Sequence, residues 1–133
     1  MKELSVIQRI ELRIKKDATT ERVFTLAHCD YSFSSSYFAE EAEKRTLDVS
    51  FSGTLNNKID TFFLEWLSNQ PGEWSGALKI YYQNQDQPIL DFVFDNAIAN
   101  NYSQSFSENN VHNQDAYFSA VLKGVVLNNV KMN

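Results

Sequence analysis

Few residues in this chain carry intrinsic reactivity. Cys29 is the sole cysteine, and His28 precedes it in "HCDYSFSSSYFAEEAEKRT", residues 28–46. Thiol–imidazole catalysis needs a thiolate within reach of an imidazole and a third group that orients the base. Successive residues of a strand point to opposite faces, which separates His28 from Cys29. The other histidine, His112, lies in a distant polar segment. Cys29 has the parity of Val23, Thr25 and Ala27 and is expected as a small buried hydrophobe. One cysteine and two distant histidines do not make a zinc site. "NQDQP" and "SENN" lack the glycine turn of a calcium loop. Asp91 and Asp95, read on one strand face, would stand roughly 13 Å apart, beyond the usual range of glycosidase pairs. Glu40 and Glu41 read as solvated charges. The four glycines, at 53, 72, 76 and 124, form no phosphate-cradling loop. The expectation is a protein that is not an enzyme, with no catalytic residue, metal or cofactor.

The totals agree with that reading. A chain of 133 residues is expected to form a single domain, 1–133, and can bury roughly two-thirds of its unfolded surface. Hydrophobic residues make up 43% of it, ten of them Phe, which suits a packed core and excludes a disordered chain. The net charge of −5 repels phosphate backbones. The densest basic cluster, Arg13, Lys15 and Lys16, would be divided between two strand faces, so no nucleic-acid partner is expected. A lone cysteine gives no internal disulfide and no sign of an oxidising compartment. "MKELSVIQRIELRIKK" has no apolar core of a signal peptide, and no apolar run nears the ~20 residues of a bilayer span. The expected localisation is cytoplasmic, with any secretion by a route other than Sec and no membrane insertion.

Periodicity places the elements. "IELRIKK" alternates Ile10, Leu12 and Ile14 against Glu11, Arg13 and Lys15, which predicts a half-buried strand. "DATT" predicts the turn of a hairpin with "ERVFTLAHCDYSF". In "RTLDVSFSGTL", Leu47, Val49 and Phe51 face inward, and Gly53 suits a bulge or exit turn. One segment changes period. Ile59, Phe62, Phe63, Trp66 and Leu67 fall at i, i+3, i+4, i+7 and i+8, the stripe of an amphipathic helix over about 57–69 that packs on a sheet. Asn56 or Asn57 could cap it, with Asp60 at its positive end. Strands resume at "GALKIYYQN". "ILDFVFDNAIA" is apolar on both faces, as in a strand covered on both sides. "NNYSQSFSENNVHNQ" reads as part strand, part loop. A long final run carries Phe118, Ala120 and Leu122 on one face. The predicted class is mainly β: an antiparallel barrel or sandwich of about seven strands with one flanking helix.

Residues 34 to 45, "SSSYFAEEAEKR", read as a loop. Tyr37 and Phe38 have no place in the alternation and are rimmed by Ser35, Ser36, Glu40, Glu41, Glu43 and Lys44, the composition either of an interface anchor or of a loop that folds back to tuck both aromatics into its own barrel. A small barrel must also cover or pair its strand edges, and assembly into a closed ring achieves that.

The order "HCDYSFS", "LDVSFSGTL", a helix bearing "FLEWLSN", "SGALKIYY", "LDFVFDNAIANNYSQSF" and "YFSAVLKGVVLNN" resembles the Hcp (TssD) tube proteins of type VI secretion systems, in their Bacteroidota form, over roughly residues 5 to 130. The resemblance rests on order and spacing, most specifically on the C-x-Y-S-F strand end at Cys29, on Trp66, and on Phe92, Phe94, Asn96 and Ala97. Residues 34–44 are short and acidic against typical members, and 100–115 is unusually rich in Asn. The resemblance implies a β-barrel protomer that forms homo-hexameric rings. The rings would stack into a tube inside a sheath and be expelled with spike protein and effectors. It also implies that the segment from Ser34 to Lys44 reaches the adjacent ring. Two other readings share these residues: a phage-like or other contractile-injection tail-tube protein, and a small β-barrel that holds an apolar ligand.

Overall fold

The computed structural model describes residues 6–36, 46–55, 60–104, 108 and 116–133. The chain is mainly β; among the described residues it has nine strands and one short helix. The strands are β1 (Ile7–Lys15), β2 (Glu21–Ser36), β3 (Thr46–Leu55), β4 (Ser75–Tyr82), β5 (Leu90–Phe94), β6 (Asn96–Gln104), β7 (Ala116–Lys123), β8 (Val126–Leu127) and β9 (Val130–Lys131). The helix α1 (Thr61–Leu67) lies between β3 and β4. All pairings are antiparallel, in the order β6-β7-β3-β2-β1-β4-β5-β8-β9.

β2 joins the two halves of this curled sheet. Its first residues pair with β1, from Glu21↔Lys15 to Thr25↔Glu11. From Leu26 onward it pairs with β3, ending at Ser36↔Thr46. The half β6-β7-β3-β2 therefore faces the half β1-β4-β5-β8-β9 across the core. The alternation expected of β1, β3 and β7 is observed: Leu12, Ile14, Val49, Phe51, Phe118, Ala120 and Leu122 are all buried.

α1 packs on the core side of the half β6-β7-β3-β2. Phe63 meets Phe24 of β2 at 5.2 Å and Phe118 of β7 at 5.4 Å, while Trp66 meets Phe118 at 5.7 Å. Burial of Phe62, Phe63 and Trp66 contributes about 1.5–3 kcal/mol each. Leu67 is partly buried against the same cluster, and Ile59 lies outside the described residues. The helix is shorter than the expected 57–69 because Asp60 is its cap. Its backbone is extended, and its carboxylate accepts from the Phe63 N–H at 2.9 Å. Asn56 and Asn57, the other expected caps, lie outside the described residues. Lys16 then pins the helix to the β1–β2 turn through Glu65.

Three other expectations are corrected. The run 89–98 is not one strand: it turns at Asp95, so Leu90–Phe94 pairs with β4 and Asn96–Gln104 with β7. The final run breaks into three strands. Gly124 turns it with φ +66, and Asn128 and Asn129, with φ 47 and 71, form the β8–β9 turn, where paired left-handed residues match the twist of a hairpin. Gly53 is no exit turn but an interior β3 position opposite Cys29 and Phe118. A Cβ there would stand 2.9 Å from Leu26 Cδ1.

Candidate assembly surface

The bulges of the half β6-β7-β3-β2 determine what its outer face presents. In β2 the register passes from Leu26↔Leu55 to His28↔Thr54, leaving Ala27 as an extra residue. The bulge resets the alternation. Phe24 and Leu26 are buried before it; after it Cys29 packs against the core, and Tyr31 and Phe33, though each 39% exposed, set their rings against Phe92 on the inner side. Cys29 therefore does not share a face with Val23, Thr25 and Ala27, which are exposed. It is half-buried against the core. Burial, followed by the charge of Asp30, pushes its thiol up to about 12. The thiol stays protonated at neutral pH and is a poor nucleophile. The bulge left no sequence signal, because "TLAHCD" alternates equally well in either phase.

A second bulge, in β6, leaves Asn100 between Ala99↔Ala120 and Asn101↔Ser119. It keeps Ala99 and Tyr102 inward and places two amides, Asn100 and Asn101, outward. The outer face is then a field of small polar groups. Ser32 and Ser50 hydroxyls lie 2.9 Å apart, Ser52 Oγ donates to Asp30 Oδ1 at 2.5 Å, and Ser119 Oγ donates to Asn100 Oδ1 at 2.7 Å. A shallow cavity of about 230 Å³ opens on this face.

Both lateral edges of this half lack a ladder among the described residues. β1 pairs with β2 only as far as Thr25, so the β1-facing edge of His28–Ser36 carries no strand partner. At the other end, β6 from Ile98 to Ser103 pairs only with β7. Three antiparallel steps separate the two edge strands, so they run in opposite directions. Such edges are templates for another strand.

The residues expected to contact a neighbouring copy divide at Ser36. Ser35 and Ser36 were expected in a loop but belong to β2, where they pair with Leu47 and Thr46. The β3 ladder overrides the weak strand propensity of serine. Ser35 also lines a cavity of about 640 Å³ with Leu47, Lys123 and Met132 at that end of the sheet. Tyr37, Phe38, Glu40, Glu41, Glu43 and Lys44 lie outside the described residues, as does His112. Asp91 and Asp95 are not a pair on one strand face, since Asp95 stands at the β5–β6 turn, where its N–H donates to Lys123 O at 2.9 Å.

A family model described as "Hemolysin coregulated protein Hcp (TssD)" matches residues 7–133. The structure of Hcp1 from Flavobacterium johnsoniae superposes with a TM-score of 0.66 at 13% identity, covering 92% of this chain and 96% of that one. A chain of the six-fold symmetrised baseplate of the anti-feeding prophage superposes with a TM-score of 0.57 at 9% identity, covering 98% of this chain and 99% of that one. No curated protein matches the chain.

Proposed function

Because the chain belongs to the Hcp (TssD) family, we propose that it is a structural subunit of the inner tube of a type VI secretion system. Protomers form hexameric rings, and rings stack into a tube that is expelled with spike and effectors. The observation that carries this reading is the pair of free, oppositely directed edges. When β6 of one copy lies beside the outer half of β2 in the next, the antiparallel alternation continues across the junction. The contact is heterologous, and a ring closes it without leaving an edge. The core of each protomer covers one face of the shared sheet, so the hydroxyl-rich face turns toward the axis. The segment Ser34–Lys44, beginning on the β2–β3 hairpin, extends from the ring and contacts the next. Synthesis is cytoplasmic, and the protein leaves the cell through the apparatus itself.

A phage-like contractile-injection tube is a second reading, favoured by the likeness to the prophage baseplate chain. It keeps the ring and changes the sheath and spike partners. Native mass spectrometry and negative-stain imaging test the ring. The expected species is a hexamer. Lys substitutions at Ser32 and Ile98, one near each free edge, are expected to yield monomers with an unchanged β-sheet circular dichroism spectrum. A wild-type chain that stays monomeric at high concentration would refute the ring.

A further inference from the structure

We propose that the shallow cavity on the outer face of β6-β7-β3-β2 binds one ring of a neutral saccharide. The cavity, of about 230 Å³, lies below the ~300 Å³ of drug-sized pockets and suits a single small polar unit. Asp30, Ser52, Asn100, Tyr117 and Ser119 line it. The internal hydrogen bonds orient its groups. Ser52 Oγ occupies Asp30 Oδ1, which leaves Oδ2 as an acceptor. Ser119 Oγ occupies Asn100 Oδ1, which leaves Nδ2 as a donor. A sugar hydroxyl both donates and accepts, and this pair answers both functions. Tyr117 is 42% exposed, and its ring offers an apolar surface to the C–H face of a pyranose. The two bulges set these positions, one turning Asp30 outward and the other adding Asn100, and bulges recur where a strand re-aims side chains at a site. Among the described residues Asp30 has no ion-pair partner. An ammonium group could also use that carboxylate, but the amide and hydroxyl donors around it favour an uncharged polyol.

The cavity is complete within one protomer and does not depend on the ring. Saturation-transfer NMR on the full chain tests it, with methyl β-D-glucopyranoside and N-acetylglucosamine as probes and methylammonium for comparison. The expected result is transfer to at least one sugar, with a Kd on the order of 1 mM for so few contacts. Asp30→Asn and Tyr117→Ala are each expected to weaken it about tenfold or more. Circular dichroism confirms the fold of each variant, and if Tyr117→Ala does not fold, Asp30→Asn decides alone. The proposal is overturned by no transfer at about 50 mM sugar, far above the expected Kd. Binding unchanged in the folded variants, or tighter binding of methylammonium, overturns it equally.

Discussion

Trp66 Nε1 donates to the main-chain carbonyl of Ala97 at 2.9 Å, joining residues 31 positions apart. Ala97 also donates its N–H to Trp74 O at 2.8 Å. The start of β6 is thus held by two partners from the segment between β3 and β4. Trp66→Phe keeps an aromatic ring but leaves the carbonyl buried without a donor, which costs about 1–3 kcal/mol. Urea unfolding is expected to show a lower midpoint with an unchanged slope.

Gly124 turns the chain from β7 toward β8 with φ +66, and a Cβ there would run into the Asp95 carboxylate. Gly124→Ala combines left-handed strain with that clash and is expected to cost about 1–3 kcal/mol. Chemical denaturation checks the size. Ring formation should survive in the fraction that folds, since neither free edge includes this turn.

The raised thiol value of Cys29 has two consequences. Its thiolate is about a thousandfold scarcer than that of an ordinary cysteine at neutral pH, so iodoacetamide should label the folded chain far more slowly than the urea-unfolded chain. The folded value, about 12, lies above the reference value of 9.0. The contribution to stability is therefore complete below pH 9 and falls as pH rises from 9 toward 12. A Cys29→Ser variant should show a shallower decline in that window. Labelling at equal rates in both states would contradict the burial.

Tyr37→Ala combined with Phe38→Ala is expected to weaken the stacking of rings and leave each ring and its fold intact. Sedimentation measures the tube fraction, and native mass measures the ring. If the acidic group Glu40, Glu41 and Glu43 meets basic residues of the next ring, added salt should shift the same equilibrium toward single rings. Unchanged tube formation in the double variant would remove these aromatics from the contact.

Much of the fold was legible in the sequence because burial and period coincide. Ile10, Leu12 and Ile14 read as a strand, and Phe62, Phe63 and Trp66 as a helix, because each set covers one face at the spacing of its element. The phase of β2 beyond Leu26 was not legible. Inserting one residue costs little local propensity, yet it reverses every later side chain, and only the partner strand reveals it. Ser34, Ser35 and Ser36 misled in the same way, since their pairing with Asp48, Leu47 and Thr46 depends on distant residues. The candidate assembly surface is less legible still. A free edge belongs to the order of strands, and no residue type marks it.

The two bulges also bear on how this chain tolerates changes in length. Elsewhere in β2 or β6, losing one residue exchanges the apolar and polar sides of everything downstream. Removing Ala27 or Asn100 instead closes the ladder with both sides unchanged, because Leu26 and Cys29, or Ala99 and Tyr102, already face inward across each gap. Those two positions are the slots in these strands where a residue can be lost without turning the sheet inside out.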